Sequence, residues 1–192
     1  MEIRTLAKKE YAAGLTLAWT VFQQYEAPEY CEQGVQSFYA AIHDPVFTDA
    51  LTMYGAFADG QLIGMLATRG GGEHIALFFV EGAFHRQGVG KRLFARACAD
   101  NVSGSLTVNA SPYAVEVYHR LGFRDTAAEQ LTDGIRYTPM TCRLKNPDCP
   151  CKRTRCSRHG DCAACRAHHK DEKQQAVFCE RPPKREKRGR ER

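Results

Sequence analysis

Ile75-Ala-Leu-Phe-Phe-Val80, followed four residues later by His85-Arg86-Gln87-Gly88-Val89-Gly90-Lys91, is the stretch on which the reading of this chain turns. Six apolar residues without alternation describe a strand covered on both faces. The glycines then describe a turn, and Val89, Leu93 and Ala97 mark the inner side of a helix over residues 89–99. Strand, glycine turn and helix in succession offer backbone N–H groups and the positive end of a helix dipole to an anion. Gly88 and Gly90 let the backbone approach a ligand with no Cβ in the way. Arg86, Lys91 and Arg92 add flanking positive charge. A phosphate or pyrophosphate is the expected guest.

Upstream of this unit, residues 2–6 read as a strand. Residues 8–25 read as a helix with Leu15, Ala18, Trp19 and Phe22 at three- and four-residue spacing. A second helix covers 32–42, and Asp44-Pro45 is expected to end it. The β-rich runs 52–58 and 61–68 are split by Asp59-Gly60, a dipeptide suited to a tight hairpin. Downstream, 106–109 reads as a strand. Ser111 is expected to cap the next helix, with Pro112 in its first position and Gly122 closing it in a left-handed conformation. Phe123-Arg124 and residues 134–144 read as closing strands. The order β-α-α-β-β-β-α-β-α-β-β predicts a mixed α/β layer, not uniform βαβ units.

Two of these segments resemble the GCN5-related N-acetyltransferase (GNAT) superfamily. The first is the strand 75–80 with His85-Arg-Gln-Gly-Val-Gly90, similar to the family's pyrophosphate loop, although His85 fills a slot where Gln or Arg is usual. The second is Val108-Asn109-Ala110-Ser111-Pro112 with Tyr118-His-Arg-Leu-Gly-Phe123, similar to its cofactor-facing helix. The resemblance covers about residues 2–144 and implies a mixed, centrally splayed β-sheet flanked by helices. It implies acetyl-CoA as cosubstrate, lying between the strands 75–80 and 106–109. Arg86, Gln87, Gly88, Val89, Gly90 and Lys91 would hold its pyrophosphate, and the backbone of Phe79 and Val80 would pair with its pantetheine arm, which Asn109 would also bond.

The same resemblance implies that Tyr118, four residues before Gly122, protonates the departing thiolate; a packed core tyrosine is the alternative. A base is useful because an amine has an ordinary pKa near 10.4. Eleven residues before His85, where one branch of the family carries a glutamate, stands His74. It is either that base or a solvated histidine opening a strand. Glu81 is a rival, and Tyr25, Glu26 and Glu29 fall where the family shapes its acceptor pocket.

Composition divides the chain at the end of this region. Among the 192 residues, 1–144 hold 12 Lys/Arg against 15 Asp/Glu, whereas 145–192 hold 15 against 7. Six of the nine cysteines fall between 149 and 179. The expectation is an acetyltransferase domain over 1–144, a Cys-rich segment over 145–180, and a basic, disordered end over 181–192. Cysteines so dense in a chain with no visible secretory signal more often bind metal than pair. Cys149, Cys151, Cys156, Cys162, Cys165, His168, His169 and Cys179 are candidate ligands, with zinc the ion that best suits them. Iron–sulfur, redox and metal-free roles are the alternatives. The basic end could touch nucleic acid or protein, or only solubilise the chain.

With 43% hydrophobic and 26% charged residues, the composition excludes a disordered or collagen-like protein. Its longest apolar run, six residues, is too short for a membrane span, so a cytoplasmic location is expected. The function expected is N-acetyl transfer from acetyl-CoA to an amine through a ternary complex. The alternative is a non-catalytic acyl-CoA sensor whose Cys-rich tail binds nucleic acid or a partner protein.

Overall fold

The computed structural model describes residues 1–144, 149–153 and 155–181. It divides into two compact units, residues 1–143 and 144–192. The first holds an eight-stranded sheet in the order β1-β2-β3-β4-β5-β8-β6, with β7 beside β8. The strands are β1 (Glu2–Thr5), β2 (Thr52–Ala58), β3 (Gln61–Arg69), β4 (His74–Val80), β5 (Ser105–Ala110), β6 (Arg124–Asp125), β7 (Gln130–Thr132) and β8 (Ile135–Arg143). The helices are α1 (Tyr11–Tyr25), α2 (Glu32–His43), α3 (Pro45–Asp49), α4 (Val89–Asp100) and α5 (Val115–Leu121). This is the mixed, helix-flanked α/β architecture that the sequence predicts. No helix among the described residues is long and apolar enough to cross a membrane.

Antiparallel hairpins build one half of the sheet. Asp59 and Gly60, at φ 49° and 81°, turn β2 into β3, and that β3 then pairs with β4. The join between the halves is parallel and short. β4 and β5 pair only at His74–Thr107 and Ile75–Val108, after which no register connects them. The other half is again antiparallel, with β5 paired along its whole length to β8.

Both faces of the sheet are covered. On one, Leu17, Ala18, Val21 and Phe22 of α1 pack with Met53, Met65, Ala67, Leu77 and Phe79. Phe22 is stacked on Phe38 of α2 at 4.0 Å, and burying such a ring contributes about 1.5–3 kcal/mol. On the other face α4 buries Val89, Leu93 and Ala97.

Four local expectations change. The first helix starts only at Tyr11, because Lys8–Glu10 forms a 3-10 turn. There the Glu10 carboxylate accepts the Ala7 N–H at 2.8 Å and pairs with Arg4, and that guanidinium holds the Glu10 carboxyl down at about 2. Asp44-Pro45 ends α2 but also starts α3, since Asp44 Oδ1 accepts the Val46 N–H at 2.9 Å and proline fits the first helical position. Ser111 is not a helix cap. Its carbonyl receives the Ala114 and Val115 N–H groups in a turn, α5 begins at Val115, and the hydroxyl is buried. The closing hairpin contains the short β7, turned into β8 by Asp133 and Gly134 at φ 49° and 79°.

In the second unit, Asp161 caps a short helix α6 (Cys162–Ala167) by accepting the Ala164 N–H at 2.9 Å. A π-helical turn, His168–Glu172, continues it. The expected linker at 145–148 and nearly all of the basic end, from 182 onward, lie outside the described residues.

Candidate active site

Where β4 and β5 part, backbone polar groups of β4 face an opening. Their parity follows from hydrogen bonding. Glu81 N–H bonds Ile63 O at 3.0 Å, so two residues back Phe79 and Met65 form a hydrogen-bonded pair. Phe79 therefore turns its N–H and C=O toward β3, while Phe78 and Val80 turn theirs into the opening. The edge expected at Phe79 and Val80 is formed by Phe78 and Val80. The cause is a bulge: Ala67 pairs with Leu77 but Thr68 with Ile75, and Ala76 is the extra residue that inverts the alternation.

One end of the opening is the loop into α4. Arg86 sits at φ 61° and Gly88 at φ 79°, and Gly88 occupies the N-cap position with no side chain capping the helix. The N–H groups of the first turn have no acceptor inside the helix and point outward past a glycine. Arg86, Gln87 and Lys91 are exposed around them. A Cβ on Gly90 would meet the Phe78 ring at 3.3 Å, so the helix start lies directly on that strand residue. His85 turns inward instead, its Nε2–H donating to Val80 O at 2.8 Å while its ring lies 5.0 Å from that of Tyr25.

The other end is a cavity of about 490 Å³ whose lining includes Glu26, His74, Asn109, Ser111, Tyr118 and Asp133. Tyr118 is 5% exposed, held edge-on by Phe78 at 6.1 Å and Phe123 at 5.2 Å. Burial, and then the Glu26 carboxylate, push its phenol far above the usual range, so it keeps its proton at any working pH. Gly122, at φ 96°, closes α5 in the left-handed conformation expected of it. The Asn109 side chain is exposed, while its backbone pairs with Pro139.

His74 opens β4, with Nδ1 at 2.9 Å from Thr107 Oγ1. Burial, and then the charge of Arg69, lower its basicity to about 4. It is neutral at pH 7 but too weakly basic to take a proton from an ammonium group efficiently. Glu26, which follows α1, is differently placed. It is half-buried as a residue, but its carboxyl group is desolvated in the cavity and rises to about 7, with the Ser111 hydroxyl drawing it partly back. Tyr30, from the same segment, donates to Arg136 O at 3.0 Å. Ser111 Oγ is buried and has no hydrogen bond of good geometry among the described residues.

The structure thus brings Tyr118, Asn109 and His74 to one cavity and adds Ser111. Sequence reasoning placed Glu26 only near an acceptor pocket. Its burial arises from contact with residues some 85 positions away, which no local pattern announces. Glu81 is tied by its N–H to β3 and does not line the cavity.

In the second unit all six cysteines are unpaired by disulfides. Cys149, Cys151, Cys162, Cys165 and Cys179 line one small cavity with His169. Among the described residues, however, no group of three or more His, Cys, Asp or Glu side chains stands in an arrangement that holds a metal ion. The expected set, Cys149, Cys151, Cys156, Cys162, Cys165, His168, His169 and Cys179, is not gathered into a formed centre. Cys162 and Cys179 are exposed, Cys156 and His168 stand off the cavity lining, and the two successive histidine rings lie 5.6 Å apart at 83° to each other.

The family model described as an acetyltransferase (GNAT) domain matches residues 26–144. Among solved structures, a GCN5-related N-acetyltransferase from Rhodopseudomonas palustris is 22% identical with a TM-score of 0.63, over 74% of this chain and 95% of that one. The PaiA N-acetyltransferase of Thermoplasma acidophilum, solved with coenzyme A, is 18% identical with a TM-score of 0.57, over 74% and 98%. Tetrahymena GCN5 is 16% identical with a TM-score of 0.54, over 75% and 96%. These likenesses establish the fold. No curated protein matches the sequence.

Proposed function

Since the chain belongs to the GNAT acetyltransferase family, we propose that it moves an acetyl group from acetyl-CoA to a primary amine by direct attack in a ternary complex. The observation that carries this reading is the single opening between β4 and β5, with an uncapped helix start at one end and the buried Tyr118 at the other. The residues present fit the cosubstrate. The first-turn N–H groups of Val89, Gly90 and Lys91, with Arg86 and Gln87 beside them, suit a pyrophosphate. Phe78 and Val80 offer backbone groups to pantetheine amides as an added strand would, and Asn109 faces the same arm across the gap.

In the transfer, the amine nitrogen bonds the thioester carbonyl carbon and the C–S bond then breaks. Tyr118, kept protonated by burial, hydrogen-bonds the sulfur as charge develops and delivers its proton, and the nitrogen's surplus proton restores it. The location is proposed as cytoplasmic.

Calorimetric titration with acetyl-CoA, followed by thiol release over a panel of amines, tests this. Micromolar binding with turnover supports transfer. Binding without turnover favours the acyl-CoA sensor, and absence of binding removes both readings.

For the second unit we propose a metal-stabilised module, zinc being the best-suited ion. The support is chemical: five reduced cysteines face one cavity, and His169 Nδ1 is buried with no hydrogen-bond partner among the described residues. A segment with so few buried apolar residues gains from a cation what a core would otherwise supply. Through this unit and the basic end, contact with nucleic acid or a protein partner is proposed as a secondary role.

A further inference from the structure

A desolvated carboxylate is costly unless something offsets it, and among the described residues Glu26 makes no ion pair. It shares its cavity with Phe22, Phe38 and Phe47 and with the Tyr118 and Ser111 that face the reaction end. Ser111, 8% exposed, directs toward the same space a hydroxyl that weakly stabilises the Glu26 carboxylate and has no well-aligned partner among the described residues. A desolvated carboxylate with only a hydroxyl to offset it suits a cationic, hydrogen-bonding guest.

Taking the acetyl-transfer reading as its premise, we propose that Glu26, not His74, accepts the proton of the acceptor amine. The ammonium form of the acceptor binds against Glu26 and Ser111 and gives one proton to the Glu26 carboxylate. The neutral nitrogen then forms its bond to the thioester carbon. The C–S bond breaks toward Tyr118, and Glu26 later releases its proton to solvent. One proton thus leaves for each amide formed, and no further reactant is needed. The elevated proton affinity of Glu26 suits this role near neutral pH. The other titratable groups of the cavity leave the role open to it. Tyr30 and Tyr118 stay protonated, His74 is too weakly basic, Arg69 is a cation, and Asp133 is exposed in the β7–β8 turn, with Tyr137 following it in β8.

The test uses the full chain with 2-phenylethylamine, spermidine and a lysine-containing peptide as acceptors. Wild-type kcat/KM is expected to rise with pH through an inflection near 7. Glu26→Gln is expected to lower kcat by about 10²- to 10⁴-fold and to abolish that inflection, while calorimetric acetyl-CoA affinity stays within about threefold. His74→Gln is expected to keep the inflection. An active wild type whose E26Q variant retains its rate or its inflection overturns the assignment and leaves the transfer reading intact. A wild type that binds acetyl-CoA but releases no thiol with any of the three amines overturns both. Loss of acetyl-CoA affinity in E26Q overturns the assignment by showing a structural role.

Discussion

Gly34 of α2 and Gly134 of the β7–β8 turn meet backbone to backbone, so closely that a Cβ on either would collide with the peptide of the other. Ser37 Oγ, one helical turn further along α2, donates to Asp133 O at 2.8 Å, and Tyr30 anchors to Arg136 O. Helix and hairpin together form the outer wall of the cavity. Gly34→Ala should force them apart and destabilise the protein by about 1–3 kcal/mol. Steady-state kinetics should show a raised KM for the amine, with acetyl-CoA affinity measured by calorimetry unchanged.

Tyr118→Phe keeps the ring that packs on Phe78 and Phe123 and removes only the hydroxyl. It should leave the melting temperature and cofactor affinity near those of the wild type and lower kcat by about 10- to 1000-fold. Single-turnover thiol release measures this directly, and an unaltered rate would leave Tyr118 as a packing residue.

The buried groups also make stability depend on pH, in opposite senses. Glu26 has its carboxyl raised from 4.5 to about 7 in the folded state. The folded protein then holds the proton more firmly than the unfolded chain, and stability falls as pH rises from about 4.5 to about 7. His74 is lowered from 6.5 to about 4, so its contribution is full above 6.5 and is lost as pH falls toward 4. Glu26→Gln should therefore be more stable than the wild type at pH 8, by at most about 3 kcal/mol. Urea unfolding at pH 5 and pH 8 should show that gain shrink at the lower pH. An activity loss combined with a stability gain is what a strained catalytic group produces.

Dialysis against a chelator should leave acetyl-CoA binding by residues 1–143 intact and open the Cys-rich unit to thiol-reactive dye. Thiols of the cavity-lining cysteines that become reactive only after chelation, and are protected again on adding zinc, would support the metal module. Equal reactivity before and after would remove it.

Much of this architecture was legible because the decisive residues act locally. Asp59-Gly60 announces a hairpin, Gly122 a left-handed helix end, and the apolar run to Val80 a strand, although Ala76, Phe78 and Val80 in it are only half-buried. The failures share a cause of another kind. Ser111-Pro112 carries the chemistry of a helix start, yet the cavity claims the serine's hydroxyl and the helix begins three residues after Pro112. Ala76 gives no sign that it is the extra residue of a bulge, since that is decided by its pairing with β3. The proton affinity of Glu26 depends on its burial and then on Ser111, which the fold brings to it and the local sequence does not.

The contact between His85 and Val80 changes what docking at that edge would mean. A carbonyl that would otherwise wait for an amide of the ligand is already answered by an imidazole N–H of the protein itself. At that one carbonyl a ligand amide must share or displace the imidazole, so this contact contributes little net affinity. More of the attraction then comes from the far end of the ligand, where exposed Arg86 and Lys91 flank the helix start. Such attraction is screened by electrolyte. A ligand held this way is gripped by its tail while its reactive head stays loosely seated, and ionic strength sets how long it remains.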